Sequence, residues 1–147
     1  MNRVTLVFAA VSVAGLAFAQ EGARYTKAEN PFQAEYAFGP GRRIELRVDV
    51  EGVHLDAVTV SALEEGRPTG PVRCQVQLTG NSVAEKKAAL TTILLLEDSS
   101  GKGIERLQLG RFKVKSGKPF DEKQTLNVGG DALAAAMKVY VFVQVEF

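Results

Sequence analysis

The sequence predicts an all-β fold: an antiparallel β-sandwich of seven to eight strands with one short helix before the last strand. Three observations carry this. Apolar and polar residues alternate strictly over Ile44–Glu51 and again over Arg73–Thr79, the period of a half-buried strand. The chain ends in "VYVFVQVEF", rich in β-branched and aromatic residues. Between the periodic runs, clusters of Gly, Pro, Asn and Ser recur at a spacing of roughly 8–15 residues, the rhythm of a sandwich.

The N-terminus reads differently. Arg3 precedes an apolar run from Val4 to about Phe18, closed by Ala17-Phe18-Ala19. This is the order of a secretory signal peptide, residues 1–19, and the run is shorter than a bilayer span. The expectation is export to a periplasmic or extracellular location, with no transmembrane anchor after cleavage. The chain has 18 Lys+Arg and 17 Asp+Glu, and only Arg3 falls in the signal, so the remainder is formally neutral. That balance gives no reason to expect nucleic acid as a partner. Residues 20–43 lack a period and contain Pro31, Pro40 and several glycines. They read as an arm or linker whose aromatics, Tyr25, Phe32, Tyr36 and Phe38, are candidates for binding a partner.

The sandwich domain is expected over residues 44–147. Ile44, Leu46, Val48 and Val50 form one strand face, and Glu51-Gly52 ends the strand. Val58, Val60 and Ala62 mark a second strand, and residues 64–71 a loop. Cys74, Val76 and Leu78 share an inward face, so the single cysteine is expected to pack as a small apolar group. Leu90–Leu96 is apolar on both faces at its end, which predicts a central strand covered on both sides. Leu107 and Leu109 continue one phase, Phe112 and Val114 the other, and Gly110 at the flip predicts a bulge or strand break. "SGKPFDEK" reads as a loop and Leu126–Val128 as a short strand. Asp131 is the expected N-cap of about two turns of helix over Ala132–Lys138.

"EDSSGKG", residues 97–103, resembles a ligand loop at first sight. A calcium loop needs acidic or amide ligands at alternate positions, and Lys102 falls on one of them. A phosphate loop needs Ser or Thr after Gly-Lys and a following helix, and neither is present. A hairpin turn accounts for every residue: Asp98 and the serines bond their own backbone, and Gly101 and Gly103 supply positive φ.

"CQVQLTGNS", "LLLEDSSGK" and "FKVKSGKPF" together resemble bacterial extracytoplasmic immunoglobulin-like domains of the FxLYD type, over about residues 72–147. Within Leu94-Leu95-Leu96-Glu97-Asp98, Leu96 and Asp98 match that signature, whereas Leu94 and Glu97 stand where it has Phe and Tyr. The resemblance implies an immunoglobulin-like sandwich and a secreted domain with no catalytic residues to carry over.

Arg111, Lys113, Lys115 and Lys118 form a basic stripe, readable as an anion-binding face or as a lysine-guarded edge strand. His54 is the only histidine, and no partners for a zinc site or a catalytic triad accompany it. The expectation is therefore no enzyme, no metal and no cofactor. Val139–Val145 with the terminal Phe147 also fits the last strand of a small outer-membrane barrel, although the charged strand at 44–51 argues against a lipid face. An uncharacterised hydrolase built on a carboxylate pair is the other alternative. The leading expectation is an exported, non-enzymatic binding or structural module of the bacterial cell envelope, its partner a protein, either itself or another envelope component.

Overall fold

The structure, a computed structural model, describes residues 24–65 and 69–147. The signal-peptide reading of residues 1–19 lies outside the described residues. Among the described residues, ten strands and one helix follow in order: β1 (Thr26–Lys27), β2 (Phe32–Ala37), β3 (Ile44–Val50), β4 (Val53–Ala62), β5 (Pro71–Ser82), β6 (Ala88–Glu97), β7 (Gly103–Gln108), β8 (Phe112–Val114), β9 (Pro119–Gly129), α1 (Gly130–Ala135) and β10 (Lys138–Glu146). They form two sheets. The first has the order β9-β5-β4-β3-β1, and the second β2-β10-β6-β7 with β8 also paired to β6. Every pairing is antiparallel except β1 with β3. Both sheets end in strands with an unpaired side among the described residues, so the molecule is an all-β sandwich and not a closed barrel.

Alternation explains the core. The inward residues of the first sheet, among them Val48, Val50, Val58, Val60, Cys74, Val76 and Leu78, meet Leu90, Leu94, Leu96, Val139, Val141 and Val143 of the second. All are nearly or fully buried. At roughly 1.5–3 kcal/mol for each buried aliphatic side chain, this layer is the main stabilising term. Cys74 faces inward with Val76 and Leu78, as its alternation predicts, and is a free thiol.

The β3–β4 hairpin shows how local sequence sets geometry. Glu51 (φ 51°) and Gly52 (φ 92°) both adopt left-handed conformations, as a two-residue type I′ turn requires. The Gly52 N–H donates to Asp49 Oδ1 at 2.7 Å. Farther along, Glu45 pairs with Ala57 and Val48 with Leu55, so Leu46 and Arg47 face Asp56 alone. This is a β-bulge, with Arg47 at φ 51°. On the other side of β4, Leu55 pairs with Gly80 and Ala57 with Thr79, leaving Asp56 without a counterpart there as well. The bulge switches the inward set from Val53 and Leu55 to Val58 and Val60. A single-phase reading therefore finds only the second half of β4.

Four expectations need correction. The segment 20–43 is not devoid of regular structure: residues 26–27 and 32–37 are strands, one in each sheet. Residues 119–129 form one long edge strand, so the loop expected over 116–123 is confined to its first residues. Glu122 and Gln124 point partly inward there, which hides the alternation. The helix spans Gly130–Ala135 with Gly129 as N-cap, and Asp131 lies in its first turn rather than at the cap. Strand β6 is central, with neighbours on both sides, but its outward Ile93 and Leu95 are only half-buried.

The break at Gly110 is present. Strand β7 stops at Gln108 and β8 begins at Phe112. The Gln124 side chain fills the gap: Gly110 N–H donates to its Oε1 at 2.6 Å, and its Nε2 donates to the Gly110 carbonyl at 2.9 Å.

Candidate interaction surface

The outward face of the second sheet is built from cross-strand rows. Phe142 of β10 lies opposite Ile93 of β6 and Gln33 of β2; Tyr140 lies opposite Leu95 and Glu35; Lys138 lies opposite Glu97 and Ala37. The centre of this face is therefore Ile93, Leu95, Tyr140 and Phe142, all half-buried. Its rim is polar or charged, with Gln33, Glu35, Lys138 and Arg106.

Beside it, Glu35, Tyr36, Ala37, Ser99, Met137 and Lys138 line a shallow cleft. Met137 is 56% exposed. At the cleft's edge Glu97 is only 7% exposed, and its Oε1 is buried without a hydrogen-bond partner. The Glu97 carboxyl is held above the usual range. The main cause is a hydrogen bond shared with Glu35; loss of solvation and the Glu35 charge add to it, and Lys138 opposes it. A second carboxyl nearby disfavours the charged form of Glu97. Sequence reading took Glu97 only as part of the turn that follows. Its pairing with Glu35 depends on β2 joining the sheet, which no local pattern announces.

The four aromatics expected on a free arm separate. Phe32 and Phe38 are buried in the core, and Tyr36 is half-buried against it, with its hydroxyl pKa raised by burial. Tyr25 stacks on His54 across the outer face of the first sheet, with centroids 4.1 Å apart and planes at 19°. The Tyr25 hydroxyl donates to Asp56, and Asn81 Nδ2 donates to that hydroxyl at 3.4 Å. Burial and the Asp56 carboxylate raise the Tyr25 pKa, which makes it a hydrogen-bond donor and not a phenolate. His54 Nε2 is 3.8 Å from Asp49 Oδ2, which also meets Lys27 Nζ at 3.7 Å. This group clamps the segment before β1 onto β4. Among the described residues no group of three or more His, Cys, Asp or Glu could hold a metal ion.

The basic stripe lies along β8, the short strand beside one end of β6, and the loop after it. Lys113, Lys115 and Lys118 are exposed. Arg111 is paired with Glu146 at 3.0 Å, so it is not available in the same way as the lysines.

In the 97–103 turn, Asp98 Oδ1 accepts from Ser100 N–H at 2.9 Å, Ser100 Oγ at 2.6 Å and Lys102 N–H at 3.0 Å. These donors hold the Asp98 carboxyl below its ordinary range. Gly101 has φ +87°, whereas Gly103 does not adopt a positive φ. A Cβ on Gly103 would lie 3.1 Å from the Leu95 methyls, which would have to give by a few tenths of an ångström.

No family model matches the chain, and no curated protein matches it.

Proposed function

We propose that the protein is an exported, non-enzymatic binding or structural module of the bacterial cell envelope, working in the periplasm or outside the cell, with protein as its partner. The observation that supports this best is the outward face of the second sheet, where Ile93, Leu95, Tyr140 and Phe142 form an apolar centre inside a polar rim. Apolar centre and polar rim are the anatomy of a protein interface. The leader-like residues 1–19 and the resemblance to FxLYD domains support export and the absence of catalysis. Among the described residues no helix is long and apolar enough to cross a membrane.

The reading is tested in the native host. Cell fractionation should find the chain outside the cytoplasm with an N-terminus at or near Gln20. A photo-crosslinking residue at position 142 should give discrete protein adducts, whereas one at exposed position 123 on β9 should give few. A cytoplasmic protein retaining Met1, or equal labelling at both positions, overturns the proposal.

A further inference from the structure

We infer that the open edge of β2 is a self-association site, through which two copies pair antiparallel about a two-fold axis at Ala34 and join their second sheets. The inference rests on the binding-module reading and names the partner.

The phase of the β2–β10 ladder establishes which groups are available. Bonded and non-bonded pairs alternate along an antiparallel ladder. At one end the Phe38 N–H donates to the Met137 carbonyl at 2.9 Å. At the other, Val145 exchanges bonds with Asn30. The even-numbered residues of β2 therefore turn their peptide groups toward β10. Those of Gln33, Glu35 and Ala37 point the other way, where no strand pairs with them among the described residues.

Other edges of the sandwich carry guards of the kind that block strand addition. Strand β9 begins at Pro119, turns Glu122 partly inward and exposes Lys123. Strand β8 exposes Lys113 between Arg111 and Lys115. Strand β7 carries Glu105 and Arg106, and β1 has two residues. Strand β2 has no basic residue. Its inward residues are Phe32, Ala34 and Tyr36, and Glu35 is its one charge.

The sequence of β2 also matches itself. With the axis at Ala34, Gln33 of each copy faces Glu35 of the other on the outward side, and Phe32 faces Tyr36 on the inward side. An axis at Glu35 would set two carboxylates against each other, a destabilising cross-strand pair. The Tyr140 hydroxyl donates to Gln33 Oε1, which leaves the Gln33 amide N–H groups to donate to an acceptor across the edge. A six-residue strand pair buries less than a standard interface, so the dimer is expected to be weak and concentration-dependent.

Sedimentation of the full chain, purified in the form its host exports, tests the inference. The expected result is a monomer–dimer equilibrium. Gln33→Glu should weaken it by roughly tenfold, since two symmetric cross-strand pairs are changed at once. The Gln33→Glu/Glu35→Gln double variant exchanges the pair and should restore it. Glu35→Pro removes an edge N–H that β10 does not use, and should leave a folded monomer. A wild-type chain that stays monomeric at millimolar concentration overturns the inference, as does a dimer that Gln33→Glu leaves unchanged. A monomer that still gives envelope adducts from position 142 would sink this inference alone and leave the binding-module reading standing.

Discussion

The carboxamide of Asn30 stands in for a peptide group against Val145. Its Nδ2 donates to the Val145 carbonyl at 2.7 Å, and its Oδ1 accepts the Val145 N–H at 3.0 Å. Phe32 pairs with Val143, so the Asn30 side chain continues the ladder by two residues. The same Nδ2 lies 2.6 Å from Glu51 Oε2 in the β3–β4 turn. One side chain thus ties the edge of the second sheet to the hairpin of the first. Asn30→Ala should destabilise the fold by about 2 kcal/mol, the range for orphaning partly buried backbone groups. Urea unfolding measures the loss, and faster amide exchange at Val145 locates it. Unchanged exchange there would show that the mimicry contributes nothing.

Strand β5 contains the tightest backbone approach. A Cβ on Gly80 would sit 2.0 Å from the His54 carbonyl oxygen and 2.6 Å from the Phe120 ring. The ring can rotate, but the carbonyl belongs to the adjacent strand and cannot move without the sheet. Gly80→Ala should cost about 3 kcal/mol, the upper end for overpacking. Phe120→Ala in the same chain should recover only the smaller part, because the carbonyl clash remains. Full recovery in denaturant titrations would assign the strain to the ring instead.

The core also holds an avoidable defect. Thr92 is fully buried, and its Oγ1 has no hydrogen-bond partner. Its backbone carbonyl already accepts from Leu109 N–H at 3.0 Å. Thr92→Val keeps the shape and removes the desolvation cost. The expected gain is about 1 kcal/mol, read as a higher urea midpoint at unchanged slope. A loss would mean that the hydroxyl has a partner in solution.

Regular alternation made much of this fold legible in the sequence. Ile44–Val50, Cys74–Leu78 and the last strand follow one phase from end to end, and their inward sets are the observed ones. Reading failed where the phase breaks or the edge turns polar. The Asp56 bulge concealed the first half of β4, and Glu122 and Gln124 concealed β9. Strand β2 was hidden for a different reason. Phe32-Gln33-Ala34-Glu35-Tyr36-Ala37 does alternate, but flanking Pro31, Gly39 and Pro40 dominated the reading of the segment. The Glu35–Glu97 contact joins residues far apart in the chain through β10, and only the sheet order reveals it.

Cys74 tests the facing of β5. It is fully buried, and burial together with the negative charge of Glu64 pushes its thiol up, away from the reactive thiolate. A thiol reagent at neutral pH should modify the native chain far more slowly than the urea-unfolded chain. Equal rates would place the thiol on the outer face, and Val76 and Leu78 with it.

The Glu35–Glu97 pair predicts a pH dependence with a definite sign. The Glu97 carboxyl is raised in the folded protein by its contact with Glu35. A raised acid binds its proton more tightly in the folded state than in the unfolded one. Its contribution to stability is therefore fully present below the unfolded value, near 4.5, and is lost as pH rises through the folded value. Asp98 acts in the opposite sense: its lowered carboxyl favours the fold above its unfolded value, and that contribution fades as pH falls through the folded one. Glu97→Gln removes the titration and keeps a donor for Glu35. Relative to the parent chain, this variant should melt higher at pH 7, and the advantage should shrink or vanish at pH 4. The slope of Tm against pH in the mildly acidic range should change with Glu97→Gln. An advantage that stays the same at both pH values would show that Glu97 is destabilising through packing, not through its titration.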